Sequence, residues 1–249
     1  WAVVIVVFGF IRPDTFLSAA NFQTIFGSQA VLLIATLGLL FPLAAGEFDL
    51  SIGGILGFTT AIVAVLNVNS HWPIVYAVLL ALLLGLVIGV VNAFFTVVVG
   101  IHSFVVTLGM GTLLVGLTFA VTKSTTIGGI SEHLVQAMRW NGLLGIQAMF
   151  FYALALTVVV WYLMSLTPVG RYLLFTGLGK EVARLAGIRV ERVRAASLVV
   201  SAMFAAMAGV CLAGSLGAAD PNSGGNYLLP AFAGAFLGAT CVQPDRFNP

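Results

Sequence analysis

An all-α polytopic membrane protein is the fold class this sequence predicts, and three observations predict it. Of its 249 residues, 61% are apolar and 7% are Asp, Glu, Lys or Arg, whereas soluble domains carry roughly 45–50% and about 25%. The mean hydropathy is +1.14, too high for a chain that must coat a water-soluble globule. Val78–Val99 and Leu198–Leu216 run without a single charged residue, as α-helices in lipid do, whereas outer-membrane barrel strands alternate apolar and polar residues. The same composition excludes a disordered chain, a collagen-like repeat and a disulfide scaffold.

A bilayer core of about 30 Å needs roughly 20 helical residues. About eight spans are expected, some short or broken: 1–11 (the tail of a helix), 28–45, 51–69, 73–99, 104–122, 148–166, 195–217 and 228–242. Residues 12–27, with Pro13, Asp14 and Asn21, link the first two. Pro42 and Gly46 interrupt the second, and Asp49 or Ser51 is placed to cap the third by accepting from its free N–H groups. Gly85-x-x-x-Gly89 suits close helix packing in the fourth. Residues 123–147 form a longer polar segment carrying Glu132, His133, Arg139 and Asn141. In 167–194, Lys180–Leu185 is helix-prone with Val182, Leu185 and Ile188 on one apolar side, and Gly187 ends it. Ala218–Asn226 reads AADPNSGGN, a turn cluster before the last span. Trp1 opens within an apolar run and Gln243–Pro249 follows one closely. The expectation is therefore one transmembrane domain, 1–249, truncated at both ends.

Charge orients the chain. Six of the ten Lys and Arg (Arg171, Lys180, Arg184, Arg189, Arg192 and Arg194) fall in 167–194 against two acids, Glu181 and Glu191. The positive-inside rule places that loop in the cytoplasm. Residues 12–27, 123–147 and 218–226 then face outward, and the breaks at Gly46–Leu50 and Gly100–Ser103 either face inward or lie within the membrane. The basic stretch is too short and too mixed for a nucleic-acid face.

Enzyme chemistry finds little support. Lys123-Ser124 follows Thr122 rather than glycine, so there is no P-loop. His71, His102 and His133 are scattered over three connecting segments, and Cys211 and Cys241 lack metal-ligand spacing. No catalytic residue, metal site or cofactor is expected. Trp72, Trp140 and Trp161 suit an interfacial belt. The functional signal is Glu47 and Asp49, the only acids between Asp14 and Glu132, set between two apolar runs. An ionisable residue within a membrane is costly and points to function, and a broken helix is how many transporters build a polar site. An ordinary capped turn at the cytoplasmic surface is the alternative.

Gly46-Glu-Phe-Asp49-Leu50-Ser51-Ile-Gly53 is followed by Gly85–Gly89–Asn92 and by Phe104-Val-Val-Thr107-Leu108-Gly109. Thr167-x-x-Gly170-Arg171-Tyr172, Glu181-Val-Ala183-Arg184-Leu-Ala-Gly187-Ile188, Gly217-x-x-x-Pro221 and Gly238-Ala-Thr240 come next. In this order and spacing the set resembles the permease subunit of bacterial ATP-binding-cassette importers of the ribose-type monosaccharide class, which includes xylose, galactose and autoinducer-2 permeases. Where members carry G-Y-E-L-D-A-I-A, this chain has Asn226-Tyr-Leu-Leu-Pro-Ala-Phe-Ala233, and a usual Gly-Gly-x-Gly is replaced near Val242–Phe247.

The resemblance implies alternating access for a small polar solute, with ATP hydrolysed by separate subunits and the path between two permease subunits. It implies further helices beyond the C-terminus and a coupling role for Gly179, Glu181, Ala183, Arg184 and Gly187. Glu47, Asp49, Ser51, Asn92 and Thr107 become candidates for the helix break and translocation path. The partners it implies are a cytoplasmic ATP-binding subunit, an extracytoplasmic substrate-binding protein, a second permease subunit and the bilayer of the bacterial inner membrane. The rival is an ion-coupled secondary transporter or channel, for which only Glu47 and Asp49 are available as coupling groups.

Overall fold

The computed structural model describes residues 2–140 and 145–241. Asn141 and the tail beyond Cys241 lie outside the described residues. Among the described residues, six helical stretches are long and apolar enough to cross a membrane. They are α3 (Ala19–Ala44), α4 (Ile52–Ala64, continued to Asn69 by a π turn), α5 (Ile74–Ala93, continued to Val98 by another), α6 (Ser103–Thr122), α8 (Ala148–Leu166) and α11 (Val190–Leu216). The shorter apolar helices α1 (Ala2–Ile11) and α12 (Gly225–Cys241) stand at the other two expected spans. Between them lie α2 (Pro13–Phe16), α7 (Glu132–Arg139), α9 (Pro168–Leu178) and α10 (Lys180–Leu185).

Two boundaries differ from expectation by five residues or more. α3 begins nine residues early because the Ser18 hydroxyl accepts from the Asn21 N–H at 3.2 Å, starting a helix in a stretch too polar to read as a span. α11 begins at Val190, so the basic exit segment forms its first turns instead of preceding it.

The bundle centres on α3, α4 and α11, with α5 and α11 in contact, α6 against α4 and α8 against α3. Ile34, Leu37, Ile52, Ile55, Leu56 and Leu198 are fully buried among them. Lipid tails are as apolar as leucine, so helix association in a membrane depends on close packing and interhelical hydrogen bonds. Gly54 lies against Gly111 of α6, Gly89 against Val199 and Ala202 of α11, and the Thr60 hydroxyl donates to the Gly209 carbonyl at 2.9 Å.

The connecting segments sort into two ends. At one, Ile127–Gly128 (β1) pairs antiparallel with Ala218–Ala219 (β2), the Ser131 N–H donates to Asn67 Oδ1 at 2.8 Å, and Arg139 Nε donates to the Ser215 carbonyl at 2.6 Å. At the other, residues 46–50, 100–103 and 167–189 come together.

The turn cluster before α12 departs from the expected surface loop. Gly224 lies against Gly53 and Gly57 near the start of α4, where a Cβ on Gly57 would meet Gly224 Cα at 3.2 Å. Gly234 lies beside Thr36, and Gly238 shares a cleft with Gln29 and Leu33. The chain therefore dips into the bundle from the β1–β2 end, and α12 climbs back toward that end. Three backbones without Cβ atoms make the approach possible.

Candidate functional site: a buried helix break beneath the basic loop

The site grows out of the way α3 ends. Pro42 sits inside the last turn, the Glu47 N–H returns to the Pro42 carbonyl at 2.8 Å, and Gly46 adopts φ +74°, a left-handed conformation suited to glycine. The next residues run non-helically into α4, and their backbone donors need partners where water is scarce. α6 supplies two of them. The Phe48 N–H donates to Ser103 Oγ at 3.1 Å and the Leu50 N–H to Thr107 Oγ1 at 3.0 Å, while the Thr107 hydroxyl donates to the Ser103 carbonyl at 2.8 Å.

Asp49 organises the entry to α4. Its Oδ1 accepts from the Ser51 N–H at 3.0 Å and from the Ser51 hydroxyl at 2.5 Å, and Asn92 Nδ2 donates to Ser51 Oγ at 2.9 Å. Of the two residues expected to cap α4, Ser51 occupies the N-cap position but makes no side-chain cap bond, while the Asp49 carboxylate accepts from Ser51 in an Asp49-centred turn. The Ser201 hydroxyl approaches the carboxylate without a well-aligned bond, and Asp49 Oδ2 and Asn92 Oδ1 have no hydrogen-bond partner. No ion pair to Asp49 occurs among the described residues.

Glu47, Asp49, Ser51, Asn92 and Thr107 thus gather from three segments into one cluster. All are buried inside the subunit, with Glu47 2% exposed and the other four fully covered. Asn92 lies six residues before Val98, roughly 9 Å along the axis from that helix end. Within 46–50 the two carboxylates are therefore covered beneath the basic loop while Gly46 and Phe48 are exposed, and Gly100, Ile101 and His102 are exposed at the end of the bundle.

Glu47 reaches the basic loop itself. Its Oε1 accepts from Lys180 Nζ at 2.8 Å and from Arg194 Nε at 2.5 Å. Burial pushes this carboxyl upward, but the bonds from Arg194, Lys180 and Ser103 outweigh it and leave the group below the usual glutamate range.

Within the loop, the five residues singled out play distinct local parts. Gly179 joins α9 to α10 in an extended conformation at φ −177°, where a Cβ would meet only Val182 at 3.7 Å, so nothing there demands glycine. Ala183 is 2% exposed and faces the bundle, while Val182 and Leu185 are 70% and 90% exposed. Glu181 pairs with Arg184 at 2.7 Å, and Arg184 also bonds Glu191 at the start of α11, which holds the guanidinium pKa above its usual value. Gly187 stands at φ +81°. Its N–H donates to the Arg184 carbonyl at 2.9 Å and the Ile188 N–H to the Ala183 carbonyl at 3.0 Å, a Schellman ending to α10.

Ser103, Lys180, Arg194 and Ser201 belong to the cluster but were not singled out by the sequence. The available signal was a carboxylate between two spans, which needs a cation, together with the excess of cations in one loop.

A bundle of apolar helices with an internal polar break and a basic loop folded against it defines an integral membrane transport subunit. The chain belongs to the family described as "Branched-chain amino acid transport system / permease component", whose profile matches residues 21–244. It is similar to a ribose import permease of Haemophilus influenzae, 30% identical over 98% of this chain and 76% of that protein. It is also similar to a D-allose transport system permease of Escherichia coli, 28% identical over 96% of this chain and 73% of that protein. A xylose transport system permease of Escherichia coli is 25% identical over 96% of this chain and 76% of that protein. No solved structure matches the chain significantly. The chain is a multi-pass permease of the bacterial inner membrane, and the comparisons support an importer permease over a self-contained ion-coupled transporter.

Proposed function

We propose that this subunit forms one half of the path of an importer for a monosaccharide and that a separate cytoplasmic subunit hydrolyses the ATP. The sugar assignment follows the names of the ribose, allose and xylose permeases, which cover nearly the whole chain. The observation that carries the coupling assignment is the pose of α10: Ala183 anchors it to the bundle while Val182 and Leu185 stand clear of it. An amphipathic helix presented this way suits a groove on a soluble partner. A substrate-binding protein would dock at the β1–β2 end, and a second permease subunit would complete the path.

Reconstitution in proteoliposomes with its ATP-binding subunit and binding protein tests this reading. ATP-dependent uptake of labelled ribose, allose or xylose, with none of labelled leucine, is expected. Uptake driven by an ion gradient without ATP would overturn it.

Orientation has its own check. Cysteines placed singly at Glu181 and Glu132, both exposed, should react with an impermeant thiol reagent from opposite faces of the membrane, Glu181 from the cytoplasmic one. Cys211 is buried, and Cys241 is replaced by Ser in the background used for labelling. Labelling of both from one face would reject the topology.

Gly187→Val tests α10 directly. A branched residue at φ +81° is disfavoured by about 1–2 kcal/mol or more, so the Schellman turn should open and α10 lose its pose. Association with the ATP-binding subunit is expected to weaken while insertion stays normal. Wild-type association and uptake would reject the role of α10.

A further inference from the structure

The loop that carries α10 and the buried helix break are joined by one carboxylate. Glu47 belongs to the break, Lys180 is the first residue of α10, and Arg194 lies in the opening turns of α11. The backbones meet at the same place, since a Cβ on Gly46 would lie 3.3 Å from Gly177 Cα at the end of α9. Further along the break, Phe48 and Leu50 are hydrogen-bonded to α6, and Asp49 leads through Ser51 to Asn92 of α5. Displacement of α10 therefore pulls on Glu47 first, and through it on the segment that connects α3, α4, α5 and α6.

We propose that Glu47 is a positioning residue that transmits movement of the 167–194 loop to the buried break, so that ATP hydrolysis on one side is converted into rearrangement of the helices. The proposal rests on the reading of this loop as the ATPase-docking element. Chemistry favours a carboxylate for the task. Two cations on separate elements share a single oxygen that is almost wholly covered, so moving either one removes a charge-assisted bond from a carboxylate that water barely reaches. The side chains differ in the way a transmitting contact needs: that of Arg194 is 17% exposed and that of Lys180 42% exposed. Arg194 fixes Glu47 to the bundle, and Lys180 is the arm nearer the cytoplasm. Among the described residues, Ser103 of α6 is a further polar group facing the carboxylate.

The test uses the full chain reconstituted with the ATP-binding subunit that co-purifies with it and with its binding protein. The probe is whichever of ribose, allose and xylose is taken up fastest. Glu47→Gln is expected to insert, retain the ATPase and hydrolyse ATP near the wild-type rate, while uptake per ATP falls about tenfold, within the usual range of coupling between sites. Exchanging the charges in Glu47→Arg with Arg194→Glu should recover part of the loss, which a mere packing role would not predict. Wild-type uptake per ATP in inserted Glu47→Gln overturns the proposal. So does loss of ATPase association and hydrolysis in proportion to uptake, because that is damage to docking and not to transmission. If Glu47→Gln fails to insert, Lys180→Gln decides: it keeps the Arg194 pair, and uncoupling there supports the proposal while wild-type coupling overturns it. A wild-type chain that retains no ATPase at all would fail the docking reading instead, before any variant is made.

Discussion

Gly54→Val is expected to remove most of the folded protein from the membrane, whereas Gly116→Val, on the facing helix, is expected to leave folding of the subunit intact. A Cβ at Gly54 would sit 2.7 Å from the Gly111 carbonyl oxygen and 2.9 Å from Gly111 Cα. Both obstacles are backbone of α6, so no rotamer change relieves them. The far side of that contact is equally tight, because a Cβ on Gly111 would come within 3.1 Å of the Leu50 carbonyl. Overpacking a well-filled interior commonly costs about 1–3 kcal/mol, and here relief requires α4 and α6 to separate. Separation would break the Thr107–Leu50 bond that holds the helix break. Gly116 has no atom within 4 Å of its Cβ position. Thermal unfolding and size-exclusion profiles of the purified variants give the measurement; equal behaviour of the two would show that the α4–α6 approach does not limit stability.

The same glycines mark the boundary of what the sequence discloses. Apolar runs of span length revealed where the helices are, because hydrophobic thickness is a one-dimensional constraint, and 148–166 was located to the residue. They did not reveal that AADPNSGGN dips into the bundle, since that depends on Gly53, Gly57 and Gly224 meeting from distant positions. The cluster of Glu47, Asp49, Ser51, Asn92 and Thr107 was assembled from short motifs in the chain, and the fold brings all five together. Their partners Lys180 and Arg194 stayed hidden for a physical reason. Inside a run of six cations nothing local distinguishes a residue that turns inward from one that fixes topology, and only the tertiary position of Glu47 selects between them. α9 was not anticipated either, although Pro168 occupies its first helical position, where the missing N–H costs nothing.

Asp49→Ala is expected to lower uptake about tenfold or more, and Asp49→Asn to keep a substantial part of it, corresponding to roughly 1.4 kcal/mol between them. The distinction follows from which oxygen is used. Oδ1 accepts both the Ser51 N–H and the Ser51 hydroxyl, whereas Oδ2 has no partner. Asparagine can retain an acceptor at the first position and place its amide at the second. Alanine leaves the Ser51 N–H and hydroxyl without their acceptor in a fully buried site, at about 1–3 kcal/mol for each donor left unpaired. The hydroxyl would also turn away from its present bond, disturbing the Asn92 contact that ties α5 to the start of α4. Ser51→Ala removes the same hydroxyl from the other side and should resemble Asp49→Ala in uptake. Uptake abolished equally by asparagine and alanine would assign the function to the negative charge instead, as an ion-binding group inside the membrane requires. Wild-type uptake by an inserted Asp49→Ala would show that neither the charge nor the acceptor is needed, and that the contacts of Phe48 and Leu50 with Ser103 and Thr107 suffice to hold the break.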